Sequence, residues 1–244
     1  MSEETKRFFD ARAEDYYTTN YERPRTRHAH NLVLRRDACL ELIPEGTGAI
    51  LDMGCGPGAM SVPLASCGRD VVSIDLAEQM VRDTASRVAS LGRKPQAAVA
   101  NVTALPFADS AFAVVVTTGV LEYVERIDTA LAEIARVLRP GGAAIATMSL
   151  PRRLERFAER TLVRLRRQSV ARQFIYGRAA FDDLVTNAGL EIEVRRSCAF
   201  SPFPLDVVWP GGVRWLDDRY ANLLNSNAFA CDHAKTYIVR ARRT

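Results

Sequence analysis

The stretch Ile50–Leu64, ILDMGCGPGAMSVPL, decides the fold. Ala49-Ile50-Leu51 is an apolar run closed by an acid, Asp52, and reads as a buried strand. Glycines follow at alternate positions, Gly54, Gly56 and Gly58, with Cys55 between the first two. Ala59-Met60-Ser61 then opens a helical pattern to about Ser66, with Val62, Leu64 and Ala65 on one side. Glycines at a strand-to-helix turn let the backbone bend tightly and approach a ligand closely. The helix behind them presents unpaired N–H groups toward that ligand. The pattern predicts a nucleotide-type site at the end of a buried strand.

Two ligands fit the glycines. Gly54-x-Gly56-x-x-Ala59, with Asp75 about twenty residues on, satisfies the dinucleotide fingerprint and would make the chain an NAD-dependent oxidoreductase. Asp52-x-Gly54-x-Gly56-x-Gly58 also resembles motif I of the class I S-adenosylmethionine-dependent methyltransferases. A pyrophosphate at this turn would face the acid at the strand's end, whereas a sulfonium with an ammonium group is attracted to it. Asp52 therefore favours the sulfonium. Asp75 closes a second short strand, Val71–Asp75, where a carboxylate can accept both hydroxyls of an adenosine ribose. That serves either cofactor, and the plain alternative is a cap for the next helix, 78–91.

Further motifs separate the two. Gln96–Ala100 reads as a third strand. The run NVTALPFADSAFAVVVTTGVLEYV from Asn101 resembles the methyltransferase family's next motif: a polar residue for the adenine amine, then Leu-Pro-Phe, then a fourth strand. A helix follows from Asp128 through Leu138. Leu138-Arg139-Pro140-Gly141-Gly142 and the strand Ala143–Met148 match a third mark of the family, with Pro and paired glycines ending the helix. The chain departs from the family at Asn101 in place of Asp, at Ala113 in place of the Asp of Phe-Asp, and at Tyr123 in place of His. An amide still accepts from an exocyclic amine through its carbonyl oxygen. Retained glycines beside these departures leave open a protein that binds the cofactor and is catalytically silent.

The resemblance implies an α/β fold: a Rossmann-like, seven-stranded class I methyltransferase sheet with helices on both faces and a C-terminal helical cover. It implies S-adenosyl-L-methionine as cofactor, held by Tyr16, Asp52, Gly54, Cys55, Gly56, Gly58, Asp75, Leu76, Met80, Asn101, Val102, Thr118 and Gly119. The implied division places cofactor-capping helices at 1–43 and the cofactor-binding core at 44–149. The substrate cover falls at 150–177 and 200–230, and the remaining sheet at 178–199 and 231–244. The N-terminal segment, with Phe9, Asp10, Ala13 and Tyr16, resembles the helix that caps the cofactor in small-molecule methyltransferases. The group it resembles most is that of quinone-biosynthesis-like and natural-product methyltransferases.

At 244 residues with 48% hydrophobic and 25% charged side chains, the chain is one large domain with a sizeable core. No run of apolar residues is long enough to span a membrane. The N-terminus MSEETKRFFD is too charged for a signal peptide. Five scattered cysteines argue for reduced thiols in a cytosol, and Cys55 reads as a small packing residue of the turn. No His, Cys or acidic cluster has metal-ligand spacing, so no metal is predicted.

The net charge of +4 is uneven. Residues 151–244 hold 17 basic against 10 acidic side chains, and residues 1–150 hold 16 against 19. An anionic or carrier-linked small-molecule substrate would meet the C-terminal part first. Arg152–Arg167 reads as a basic amphipathic helix, either a solvated face, a lid or a membrane-surface contact, with no motif for nucleic acid. Residues 200–230 hold two Trp and several Pro and read as substrate-selecting cover or as a homodimer contact. Strands are predicted at Leu190–Arg195 and Ala234–Arg242 after a helix at Arg178–Asn187, the two strands forming an antiparallel excursion at the sheet edge. A hydroxyl acceptor profits from a general base, and the candidates are His28, His233, Tyr21 and Tyr123, none singled out by the sequence.

Overall fold

The chain forms a seven-stranded sheet in the order β3-β2-β1-β4-β5-β7-β6. The computed structural model describes residues 3–10, 16–46, 48–151, 172–200 and 234–244. The expected basic helix 152–167, most of the expected cover, and His233 lie outside the described residues.

The first four strands are β1 (Ile50–Met53), β2 (Val71–Asp75), β3 (Gln96–Val99) and β4 (Phe112–Thr117). With β5 (Leu138–Ser149) they run parallel. All residues of β1 and β4 are buried, as near-continuous apolar runs covered on both faces must be. β6 (Leu190–Phe200) forms one edge, and β7 (Ala234–Arg243) slots between it and β5, antiparallel to both. The antiparallel excursion is therefore a single reversed strand, inserted one place inside the edge.

Helices α1 (Glu3–Asp10) and α2 (Arg27–Leu40) precede the sheet. Along the chain follow α3 (Ser61–Ser66), α4 (Glu78–Ser90), α5 (Ile127–Val137) and α6 (Arg178–Asn187). Two core clusters lie on opposite sheet faces. One joins α5 and α6, through Leu131, Ile134 and Phe181, to Leu51, Met53, Val115 and Val239. The other joins α2 and α3, through Ala38, Cys39 and Leu64, to Ile50, Val114, Val116 and Ile145. Successive strand residues alternate between these faces. No helix among the described residues is long and apolar enough to cross a membrane.

Three element boundaries differ from expectation for identifiable reasons. α2 stops at Leu40, and the chain tightens into three-residue turns, Leu42 N–H to Cys39 O and Ile43 N–H to Leu40 O. Pro44 disfavours a helical residue before it, so the α-helix unwinds early. β5 begins at Leu138 because Leu138 already pairs with Phe112; the Pro-Gly-Gly stretch is a bulge within the strand, ahead of the Val114–Ala143 pair. A side chain at Gly142 would come within 2.8 Å of the Arg139 carbonyl oxygen and 3.0 Å of the Ala113 carbonyl oxygen, so the bulge requires glycine there. β6 extends past Arg195 to Phe200, since β7 offers it a partner over that whole length.

The chain's end is tied to the sheet by Arg243. Its Nη1 donates to the Leu138 carbonyl, to the Arg136 carbonyl at 3.0 Å and to Ser110 Oγ at 3.1 Å. These carbonyls close α5, where a cation also meets the negative end of the helix dipole. Arg243→Ala is expected to lower stability by about 1–3 kcal/mol, because the acceptors lose a charged donor. Urea unfolding checks this, and an unchanged midpoint would show the clamp to be idle.

Candidate functional site

A cavity opens at the C-terminal ends of β1, β2 and β4, where parallel sheets carry their ligands. Gly54 carries the chain out of β1 with φ +79°, and a Cβ there would overlap the Val120 side chain. Only glycine combines that dihedral with that approach. The turn is then spent on itself. Gly54 and Cys55 N–H both donate to Ile74 O at 2.8 Å, Gly58 N–H to Cys55 O at 3.0 Å, and Gly56 N–H to Asp75 Oδ2 at 2.9 Å. The N–H groups of Gly54, Cys55, Gly56 and Gly58 are all paired within the protein, so the glycine turn itself holds no spare donor for a pyrophosphate.

Asp75 stands at the end of β2 and lines the cavity. Its Oδ1 accepts from Ala77 N–H at 2.9 Å, and its Oδ2 from Gly56. Each oxygen keeps one lone pair for a ligand hydroxyl. Burial raises its pKa, and the N–H groups of Ala77, Gly56 and Leu76 partly offset that. The cap and ligand readings of Asp75 are therefore compatible. Leu76, Met80 and Val102 add an apolar wall beside it.

Asp52 departs from the ligand-facing role drawn from its position. It is 1% exposed and absent from the cavity wall. Its Oδ2 accepts from Ser61 Oγ at 2.5 Å. Ser61 has one proton to give, so Ser73 Oγ, 2.7 Å away, donates to Ser61 in turn. Strand alternation turns Asp52 toward α3, behind the turn, where its Oδ1 has no partner among the described residues. Burial pushes its carboxyl up to about 7, against the lowering effect of Ser61. Asp52 can act on a ligand only through its field.

Asn101 is likewise turned away. Its Oδ1 accepts from Thr103 N–H at 3.1 Å and Thr103 Oγ1 at 3.0 Å, the local turn that short amide side chains favour, and the neighbouring Val102 reaches the cavity instead. Gly58 supports the turn without lining the cavity, and Cys55 lines it as a buried thiol whose pKa burial raises. Tyr16, Tyr21, Gly54, Gly56, Thr118, Gly119 and Tyr123 all line the cavity. His28 does not; it sits exposed in the first turn of α2.

Several wall residues escaped the sequence reading, above all Arg35. Its guanidinium lies over Gly119, so close that a Cβ on that glycine would stand 2.6 Å from both terminal nitrogens. Burial alone would lower its pKa, but Tyr21, Glu122 and Tyr16 around it outweigh that, and it stays a cation. The signal was present: Leu32, Arg35 and Cys39 share one side of α2, so an arginine stands on the buried stripe. Arg36 beside it is an ordinary surface ion pair with Asp37 at 2.7 Å.

The N-terminal segment closes the cavity. Phe9 packs against Ala77 and Met80 and meets the Tyr123 ring edge-on at 5.3 Å. Asp10 Oδ1 accepts from Gln79 N–H at 3.3 Å, tying α1 to the start of α4. Tyr123 Oη in turn accepts from Gln173 Nε2 at 3.0 Å. The space so enclosed has an acid at one end, an apolar middle and a permanent cation at the other.

Residues 51–146 match the methyltransferase domain family. The chain is 33% identical over 130 residues to a malonyl-[acyl-carrier protein] O-methyltransferase of Pseudescherichia vulneris, covering 50% of each chain. It is 28% identical over 158 residues to a ubiquinone biosynthesis O-methyltransferase of Sinorhizobium medicae, covering 63% of this chain and 64% of that one. The chain thus spans between half and just under two thirds of these curated relatives. Among solved structures it superposes on the magnesium protoporphyrin IX methyltransferase of Synechocystis with bound S-adenosylhomocysteine. The TM-score is 0.67 at 15% identity, over 98% of each chain, a likeness of fold.

Proposed function

We propose that this chain, which carries the methyltransferase domain of the class I S-adenosylmethionine-dependent family over residues 51–146, transfers a methyl group from S-adenosyl-L-methionine to an O, N or C atom of a small molecule. One observation carries this reading: a single cavity offers Asp75 at one end, Arg35 at the other, and a glycine turn whose N–H groups are already paired. A dinucleotide needs those N–H groups for its pyrophosphate, whereas an adenosyl amino acid needs an acceptor for ribose and a cation for its carboxylate. The residues present fit that cofactor.

When bound, the cofactor supplies a methyl group already activated on a sulfonium. The chain's task is to orient and to exclude water. Asp75 accepts from the ribose hydroxyls, Leu76, Met80 and Val102 pack on the adenine, and Arg35 pairs with the α-carboxylate. Phe9 and Tyr123 close over the cavity and keep water from it. The methyl acceptor has to meet the cofactor's methyl group within this cavity. The names of the two curated relatives support a small molecule, free or carrier-linked, as that acceptor.

Calorimetric titration with S-adenosylhomocysteine and, in parallel, NAD tests the reading. Micromolar binding of the first alone is expected; binding of NAD alone would overturn it. Phe9→Ala is expected to weaken S-adenosylhomocysteine about tenfold, since the closing aromatic contact is lost while Asp75 and Arg35 remain. An unchanged affinity would remove α1 from the site.

A further inference from the structure

We propose, resting on the methyltransferase reading above, that Glu122 is a positioning residue: its buried carboxylate holds the Arg35 guanidinium at the cavity wall for the cofactor's α-carboxylate, without itself touching the ligand. β5 brings the two residues together. Thr147 and Ser149 stand two residues apart near the end of β5, so both point to the sheet face that carries Ile145 and packs against α2. Thr147 Oγ1 accepts from Gly119 N–H at 2.9 Å, and Ser149 Oγ donates to Glu122 Oε1 at 2.9 Å. Gly119 and the Glu122 carboxylate thereby hang from points one strand step apart on β5, about 6.5 Å. The Arg35 guanidinium lies directly on Gly119. It arrives there because Arg35 stands one turn before Cys39, on the side of α2 that enters the same core cluster as Ile145. A cation and an acid are thus set side by side, each placed by contacts that do not involve the other.

Each needs the other. Burial disfavours the charge on Arg35, and of the groups that outweigh it, Tyr21, Glu122, Tyr16 and Cys39, only Glu122 is a carboxylate. Glu122 is 3% exposed, and a charge so far from water is expensive unless a counter-charge stands near. Its oxygens are accounted for without Arg35: Oε1 accepts from Ser149, and Oε2 has no hydrogen-bond partner among the described residues. The pair therefore attracts through the low-dielectric interior without closing into a hydrogen-bonded ion pair. Arg35 gains a neutralising charge and gives Glu122 none of its N–H groups, which stay available to the cavity it lines. Ser149 keeps that separation by holding the carboxylate to β5. Glu122 is not part of the cavity wall, although Val120 and Tyr123 on either side of it are, so its action on a ligand runs through Arg35.

The test is calorimetry with two ligands that share the adenosyl thioether, S-adenosylhomocysteine and 5′-methylthioadenosine, the second lacking the amino acid that Arg35 binds. Glu122→Gln keeps the acceptor for Ser149 Oγ and removes only the charge. It is expected to weaken S-adenosylhomocysteine about tenfold and to leave 5′-methylthioadenosine within about twofold of wild type. Ser149→Ala leaves the acid in place and carries the same test should Glu122→Gln fail to fold. It is expected to weaken S-adenosylhomocysteine about threefold with the same selectivity, because the released carboxylate closes on the guanidinium and takes its N–H groups. In an Arg35→Met background, Glu122→Gln should bring no further loss of S-adenosylhomocysteine affinity. Equal losses of both ligands would mark Glu122 as merely structural and overturn the proposal. So would an unchanged or tighter S-adenosylhomocysteine affinity in Glu122→Gln, an indifferent Ser149→Ala, or a further loss in the Arg35→Met background. Failure of the wild type to bind S-adenosylhomocysteine at all would instead sink the methyltransferase reading on which it rests.

Discussion

Asp75→Ala is expected to weaken S-adenosylhomocysteine binding by at least about a hundredfold, the largest loss of any single substitution at the cavity. Two hydrogen bonds from ribose to a carboxylate contribute about 1.5–3 kcal/mol each, and both vanish with the side chain. The same carboxylate accepts from Gly56 and Ala77 N–H, so its removal also releases the turn that shapes the cavity. Asp75→Asn should recover little. An amide has one accepting oxygen where the site uses two, and its NH2 would confront a backbone N–H. Calorimetric titration of wild type and both variants decides the matter. A loss below about threefold in Asp75→Ala would mean that the ribose is held elsewhere.

Asp52→Asn should raise the stability of the ligand-free protein at pH 8 while flattening its dependence on pH. An unfolded Asp titrates near 3.9, whereas burial pushes Asp52 up to about 7 in the folded chain. Between these values the folded state binds more protons than the unfolded one, so stability falls as pH rises. The fall starts above about pH 4 and levels off above about pH 7. Three pH units at about 1.4 kcal/mol each give an upper figure of about 4 kcal/mol. Asn keeps the acceptor for Ser61 Oγ and carries no charge, but its NH2 takes the place of the unpartnered Oδ1 and returns about 1–3 kcal/mol of that gain. A net gain of about 2 kcal/mol at pH 8 is the expected outcome, read by urea unfolding of both proteins at pH 5 and pH 8. Parallel profiles for the two would show that Asp52 is ionised throughout.

The same substitution separates two roles of this acid. A cationic ligand near Asp52 favours its ionised form, so binding S-adenosylmethionine near pH 7 should release protons that the neutral S-adenosylhomocysteine does not. Asp52→Asn should abolish that difference. Proton release measured in two buffers of different ionisation enthalpy reads it directly.

What the sequence determined by itself is the framework of the cavity. Apolar runs ending in acids, glycines at alternate positions and the Pro-Gly-Gly stretch are local patterns, and each constrains the backbone within a few residues. The parallel core, the turn after β1 and the place of Asp75 follow from them. The tertiary structure alone decided where side chains point and what they spend their hydrogen bonds on. Asp52 and Asn101 stand where a family pattern places ligand contacts, yet Ser61 and Thr103, nine and two residues away, hold them. Arg35 lies fifteen residues before β1 and enters the site only because α2 packs across the sheet and lays the guanidinium on Gly119. Phe9 and Tyr123, 114 residues apart, meet over the cavity for the same reason. Backbone course is set by short-range sterics and hydrophobic period, which a sequence displays openly. The partner of a polar group is set by which distant segment arrives beside it, and no local pattern records that.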